Sequence, residues 1–135
     1  DEFEHRAECV KKQFDGYTVL GDLHVNGKLT LGENIADLGG ISISYAAFKR
    51  TAQGKSDKKI DGLTPEQRFF LSWAQQGRTN FREDALRRQI TVGPHSPGMF
   101  RAVGPISNMP EFFQAFGIRE GDPMWRKPEV RVKIW

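Results

Sequence analysis

The chain has 135 residues, of which 38% are hydrophobic and 27% are charged, a composition typical of one globular domain with its own core. Its formal net charge is only +3, and basic side chains are interspersed with acidic ones, which disfavours a nucleic-acid partner. No apolar run is long enough to span a membrane. The single cysteine, Cys9, excludes an internal disulfide and a cysteine-type zinc site. We therefore expect one domain over residues 1–135.

In the first half of the chain, the apolar spacing predicts two helices joined by a short extended segment. Residues 2–14 place apolar side chains on one face, and residues 15–27 contain turn residues and too few apolar pairs for more than a short strand. Thr30 and Glu33 match a Ser/Thr-x-x-Glu capping box, which predicts a helix from there to about Thr51. The opening without Met, directly in a helical pattern, predicts that the chain is part of a longer protein.

The second half predicts short helices separated by loops. Thr64 and Gln67 form another capping box, with Pro65 at the first helical position. The predicted segments are an exposed loop at 53–62, a helix at 83–89, a proline-bounded loop at 94–98, a helix at 108–116 that buries Phe112, Phe113 and Phe116, and an irregular tail at 117–135. The expected fold class is therefore mainly α.

Two carboxylates share one face of the helix that follows Thr30. Glu33 and Asp37 are four residues apart, so like charges lie within one turn and repel. A cation or a histidine between them would remove that penalty, and a metal ligand with a neighbouring carboxylate that orients a histidine has this layout. Spacing alone favours ordinary roles for both residues. Glu33 is then part of a helix cap, and Asp37 lies on a solvated face of the helix. Gly39 and Gly40 follow, and predict either close approach of another segment or a helix end.

Two side chains in and after the proline-bounded loop could face a cleft. His95 could donate a hydrogen bond to a developing oxyanion, and Arg101 could bind a carbonyl or carboxylate through its guanidinium. An exposed loop histidine and a surface arginine are the ordinary alternatives. His5 and His24 lack metal-ligand spacing, so we expect neither to bind metal. A catalytic zinc takes three protein ligands, which this chain cannot supply by itself.

Four segments in order along the chain resemble peptidase family M13, the neprilysin-like zinc endopeptidases. They are GENIADLGG at 32–40, FFLSWAQ at 69–75, HSPGMFR at 95–101 and NMPEF at 108–112, and the resemblance extends to a terminal aromatic, Trp135. It implies the C-terminal part of a gluzincin-type, thermolysin-like catalytic domain with little strand.

The resemblance also implies a role for each candidate residue. Glu33 matches the downstream zinc ligand, and Asp37 matches the carboxylate that orients a zinc-bound histidine. His95 matches the histidine that stabilises the tetrahedral intermediate, and Arg101 matches the arginine that binds the substrate backbone. The implied activity is zinc-dependent hydrolysis of short peptides by activated water.

Several family features are absent from this sequence. The His-Glu-x-x-His motif, with two histidine ligands and the water-activating glutamate, is missing, so an N-terminal part of the same protein must complete the site. Gly77 and Val130 stand where the animal members have a Trp-Cys pair and a cysteine, which indicates a bacterial member. A periplasmic, cell-surface or secreted location is expected, with a cytoplasmic one still open.

Two alternatives remain open from the sequence. The chain could belong to a non-catalytic peptide- or partner-binding domain derived from the same fold. It could instead be a purely structural helical domain, in which case Glu33, Asp37, His95 and Arg101 should lie far apart.

Overall fold

A computed structural model describes residues 1–134, and Trp135 lies outside the described residues. Helices dominate, with one two-stranded antiparallel sheet, which confirms the mainly α fold class. In chain order the elements are α1 Glu2–Asp15, β1 Thr18–Leu20, β2 Leu23–His24, α2 Leu31–Phe48, α3 Ala52–Lys55, α4 Pro65–Gln75, α5 Glu83–Val92, α6 Gly98–Ile106, α7 Pro110–Phe116 and a 3₁₀ turn at Pro128–Val130.

Of the two predicted capping boxes, one is confirmed and one is wrong. Thr64 and Gln67 cap α4 reciprocally, each side chain bonded to the other residue's backbone N–H. Thr30 precedes α2 without any side-chain cap bond. Its hydroxyl instead donates to the Asn26 carbonyl and accepts from the Asn34 side chain. The Glu33 carboxylate is therefore not engaged in a capping box.

Helix α2 contributes to two hydrophobic clusters. Leu38, 3% exposed, packs in a cluster with α1, α6 and the C-terminal segment. Ile41, fully buried, packs in a second cluster with α4, α6 and α7. Because both clusters include residues of α2 and α6, these two helices are fixed against each other, and their side chains keep a defined relative position.

Helix α6 was not predicted, because its composition disfavours a helix. It begins at Gly98 and contains Gly104 and Pro105, all poor residues in a helix interior. Packing explains Gly104, since a Cβ there would lie 2.5 Å from Cζ of the buried Phe14 ring. Tertiary contact thus overrides local propensity at this point of the chain.

Other expectations need correction. Helix α2 ends at Phe48 rather than near Thr51, and α3 occupies part of the predicted loop at 53–62. Phe112 and Phe113 are buried as predicted, but Phe116 is 38% exposed. Gly40 lies exposed within α2, and among the described residues nothing comes within 4 Å of a Cβ built there. The expected close approach at Gly40 is therefore absent from this part of the protein.

Candidate active site

Arg101 of α6 lies between the two carboxylates of α2. Its Nε donates to Asp37 Oδ2 at 2.7 Å and its Nη2 donates to Asp37 Oδ1 at 2.8 Å, a bidentate pair. The same Nη2 is 3.5 Å from Glu33 Oε2. The arginine thus supplies the cation that the spacing of Glu33 and Asp37 requires.

The hydrogen bonds to Asp37 raise the pKa of the Arg101 guanidinium above its ordinary value, and the negative charges of Asp37 and Glu33 act in the same direction against partial desolvation. Asp37 is the more enclosed carboxylate, with a side chain 12% exposed, whereas that of Glu33 is 39% exposed. Both oxygens of Asp37 therefore accept hydrogen bonds from Arg101, while the carboxylate of Glu33 is accessible to a further partner.

His95 reaches the same place from the loop between α5 and α6. Its Nε2 is 3.2 Å from Glu33 Oε2, and its side chain is 49% exposed. Glu33, Asp37, His95 and Arg101 therefore form one connected group. This geometry contradicts the purely structural alternative, which required the four residues to lie far apart.

Two buried polar neighbours of this group were missed by sequence reasoning. Ser96 and Asn34 are each 1% exposed, and the Ser96 hydroxyl donates to Asn34 Oδ1 at 2.8 Å. Their positions directly after His95 and Glu33 were the available signal. A polar residue inside an apolar helix, as Asn34 is, needs a hydrogen-bond partner when buried.

A cavity of about 270 Å³ adjoins the group. Its lining includes Asp37, His95 and Arg101, together with Trp73 of α4. The Trp73 indole N–H donates to the Ala102 carbonyl at 3.0 Å, which ties α4 to α6. Asp37, His95 and Arg101 thus face a space that can hold part of a bound molecule.

A catalytic zinc ion needs three protein ligands. Among residues 1–134, no cluster of three or more His, Cys, Asp or Glu side chains is arranged to hold a metal. Glu33 offers a partly exposed oxygen donor of a kind that zinc accepts. The chemistry of Glu33 therefore fits one position in the coordination shell of a zinc ion.

Comparisons with known proteins show which family the chain is similar to. The sequence profile of peptidase family M13 matches residues 1–132. Neprilysin-3 of Drosophila melanogaster is 38% identical over 142 residues, covering 100% of this chain and 17% of the relative. Endothelin-converting enzyme 1 of Rattus norvegicus is 36% identical over 136 residues, covering 98% of this chain and 18% of the relative.

Solved structures show the same relationship. The zinc metalloprotease Zmp1 of Mycobacterium tuberculosis, in complex with an inhibitor, superimposes with a TM-score of 0.94 at 41% identity, covering 99% of this chain and 21% of that one. PepO from Lactobacillus rhamnosis superimposes with a TM-score of 0.84 at 30% identity, covering 99% of this chain and 20% of that one.

The chain belongs to peptidase family M13. Its fold is that of the C-terminal part of a gluzincin-type catalytic domain. The chain spans only about a fifth of the length of these relatives. Within the described residues, no helix combines the length and the apolar character needed to cross a membrane.

Proposed function

We propose that this chain is part of a zinc-dependent endopeptidase that hydrolyses short peptides, and that it supplies the third zinc ligand and the residues that stabilise the transition state. The observation that carries the proposal is the connected group of Glu33, Asp37, His95 and Arg101 beside a cavity. Membership in a family of metallopeptidases supports the reaction class.

Glu33 is the proposed zinc ligand, because its carboxylate is the more exposed of the two on α2. The zinc ion, when bound, supplies a Lewis acid that activates water and polarises a carbonyl. Asp37, which is more enclosed, is proposed to accept a hydrogen bond from a zinc-bound histidine while it holds Arg101.

His95 and Arg101 are the proposed substrate-facing groups. Both side chains line the cavity and carry N–H donors, which suit an oxygen on which negative charge develops. His95 would stabilise the oxyanion at the cleaved bond, and Arg101 would bind a nearby backbone carbonyl of the peptide. The adjoining cavity is a suitable place for a side chain of the substrate.

The N-terminal part of the same protein is the proposed partner that completes the site. Helix α2 carries a surface of small and apolar residues, and Ile43 there is 61% exposed. Helices that are apolar on more than one face are normally packed on more than one face. Exposed residues on this surface of α2 are Gly32, Ala36, Gly40, Ile43 and Ala47.

The decisive experiment replaces Glu33 in the full-length protein. Glu33→Gln keeps the size of the side chain but removes the charge that binds zinc, so bound zinc and peptide cleavage should both be lost. The matched control is Glu8→Gln on α1, a glutamate that pairs only with surface lysines among the described residues. Elemental analysis and cleavage of a fluorogenic peptide are the measurements, and full activity of Glu33→Gln would refute the assignment.

The isolated chain provides a second test of the same proposal. With one proposed ligand of three, it should bind zinc weakly or substoichiometrically. Isothermal titration of residues 1–135 with zinc measures this directly. Tight one-to-one binding would contradict the division of ligands between this chain and the rest of the protein.

A non-catalytic peptide- or partner-binding domain derived from the same fold is the second candidate. Such a protein would bind peptides without cleaving them and would contain no zinc at full length.

We further propose a bacterial origin and a periplasmic, cell-surface or secreted location. The bacterial origin is supported by the similarity to the Mycobacterium and Lactobacillus structures and by the departures from the animal members at Gly77 and Val130. The location is proposed from the family alone.

A further inference from the structure

The loop that carries His95 is anchored to α2 by one buried hydrogen bond. The hydroxyl of Ser96 donates to Asn34 Oδ1 at 2.8 Å, and both residues are 1% exposed. Water therefore cannot replace either partner. A buried bond of this kind is retained because breaking it leaves a polar atom without a partner.

This bond joins the neighbours of two groups that touch. Asn34 directly follows Glu33, and Ser96 directly follows His95, whose Nε2 lies 3.2 Å from Glu33 Oε2. The bond thus fixes the backbone of the His95 loop against the turn of α2 that carries Glu33. The imidazole itself is half exposed, so packing around the ring gives it little support.

Asn34 is itself held in one orientation. Its Nδ2 donates to Thr30 Oγ1 at 2.9 Å, and the Thr30 hydroxyl donates to the Asn26 carbonyl at 3.0 Å. The side-chain amide of Asn34 therefore donates to Thr30 and accepts from Ser96, and these two partners fix its orientation. A preorganised acceptor of this kind defines where the Ser96 hydroxyl must lie.

The other side-chain hydrogen bond described for the loop is weaker. Gln89 Nε2 donates to the His95 carbonyl at 3.4 Å, beyond the usual range for an N–H···O bond. Gln89 is also only partly buried. Backbone hydrogen bonds join the ends of the loop to α5 and α6, and the Ser96–Asn34 bond is the stronger of the two side-chain hydrogen bonds and the one that reaches α2.

We propose that Ser96 and Asn34 are positioning residues that hold His95 in place for transition-state stabilisation. The proposal rests on the peptidase function proposed above. A displacement of a catalytic group by about 1 Å can cost about 100-fold in rate, so the loss of the anchor should appear in turnover. Substrate binding, which draws on other groups, should change little.

The test compares Ser96→Ala with Ser107→Ala in the full-length protein. Ser107 is also buried, at 4% exposure, and its hydroxyl donates to the Gly104 carbonyl and accepts from Gln13. The two variants lose the same group from two buried networks, but only Ser96 lies next to His95. Zinc content is measured for both, to show that the metal is retained.

We expect Ser96→Ala to lower kcat by about 10- to 100-fold while KM changes by less than about threefold. The backbone amides of Phe100 and Arg101 donate to the Pro97 carbonyl at the end of the loop, and their hydrogen exchange should be accelerated by about tenfold in this variant. Ser107→Ala should leave kcat within about twofold and exchange at these two amides unchanged. Asn34→Ala combined with Ser96→Ala should lower kcat no further than the more damaging single change, because both changes remove the same bond.

Equal effects of the two serine variants on kcat, or an unchanged loop in Ser96→Ala, would overturn the positioning role. If Ser96→Ala does not fold, Ser96→Cys keeps a weak donor of similar size and should give an intermediate kcat and intermediate exchange; wild-type values would count against the proposal. Absence of peptide cleavage in the wild-type protein would refute the proposed function, whereas normal cleavage by Ser96→Ala would refute only the positioning role.

Discussion

Arg101 and Asp37 form a two-point ion pair that joins α6 to α2, with N···O distances of 2.7 and 2.8 Å. The arginine side chain is 34% exposed and that of the aspartate 12%, so the pair lies at the edge of the protein interior. The planar guanidinium group makes two parallel hydrogen bonds to the carboxylate, which fixes the orientation of the arginine side chain as well as its position. The pair therefore sets the direction in which Arg101 faces the cavity.

The first prediction concerns Arg101→Lys in the full-length protein. Lysine keeps the charge but cannot make the two parallel bonds, so kcat/KM for peptide cleavage should fall by about 10- to 100-fold, a cost of about 1.4 to 2.7 kcal/mol. The measurement is steady-state kinetics with a fluorogenic peptide.

Arg87→Lys on α5 is the control for this change, because Arg87 donates through both Nε and Nη2 to Glu83 at an exposed site. It should leave kcat/KM within about twofold, as surface pairs contribute little. Equal kinetics for Arg101→Lys and Arg87→Lys would show that the orientation of Arg101 has no role in cleavage.

The sequence predicts much of this site because its residues lie in short motifs with local spacing. Glu33 and Asp37 are one helical turn apart, and their need for a cation follows from charge alone. That the cation is Arg101 depends on the packing of α6 against α2, a contact between residues 64 positions apart. Periodicity cannot supply such a contact. The resemblance to a family pointed to Arg101 as a residue of the same site, but it implied a substrate-binding role and not a pair with Asp37.

The missed features have a common physical cause. The composition of α6 disfavours a helix, and the helix is nevertheless fixed by burial against Phe14. The position of Thr30 fits a capping box in sequence, but its hydroxyl oxygen accepts a hydrogen bond from the buried Asn34 one turn later. In both places a specific contact with a buried side chain outweighs a local preference of about 1 kcal/mol. The contact with Phe14 is tertiary, whereas that with Asn34 lies within four residues of Thr30.

The next prediction concerns Gly40, which lies exposed in the middle of α2 with open space around a Cβ position. In the isolated chain, Gly40→Ala should raise the free energy of unfolding by about 0.5 to 1 kcal/mol, because alanine loses less backbone entropy in a helix. Urea unfolding followed by circular dichroism measures the change.

The same substitution should not stabilise the full-length protein if the N-terminal part packs against α2, since the added methyl group would then meet another segment. Ser72→Ala on the exposed face of α4 is the comparison, and it should stabilise both forms slightly. An equal gain from Gly40→Ala in both forms would mean that this surface of α2 stays uncovered.

The final prediction concerns the pH dependence of the contact between α2 and α4. Lys49 Nζ donates to Glu66 Oε1 at 2.5 Å, and this hydrogen bond lowers the pKa of Glu66 below its ordinary value of 4.5. A carboxyl group with a lowered pKa in the folded state stabilises the protein above its unfolded-state pKa. That stabilisation is lost as the pH falls through the folded-state pKa.

Glu66→Gln should therefore lower the free energy of unfolding by about 0.5 kcal/mol near neutral pH, the magnitude typical of a partly exposed pair. The difference from the wild type should persist down to about pH 5 and disappear as the pH falls below 4.5 and through the lower folded-state pKa of Glu66. Urea unfolding of the isolated chain at a series of pH values measures it, with Glu120→Gln at an exposed site as the control. A difference that stays constant into strong acid would show that the loss comes from packing rather than from the charge of Glu66.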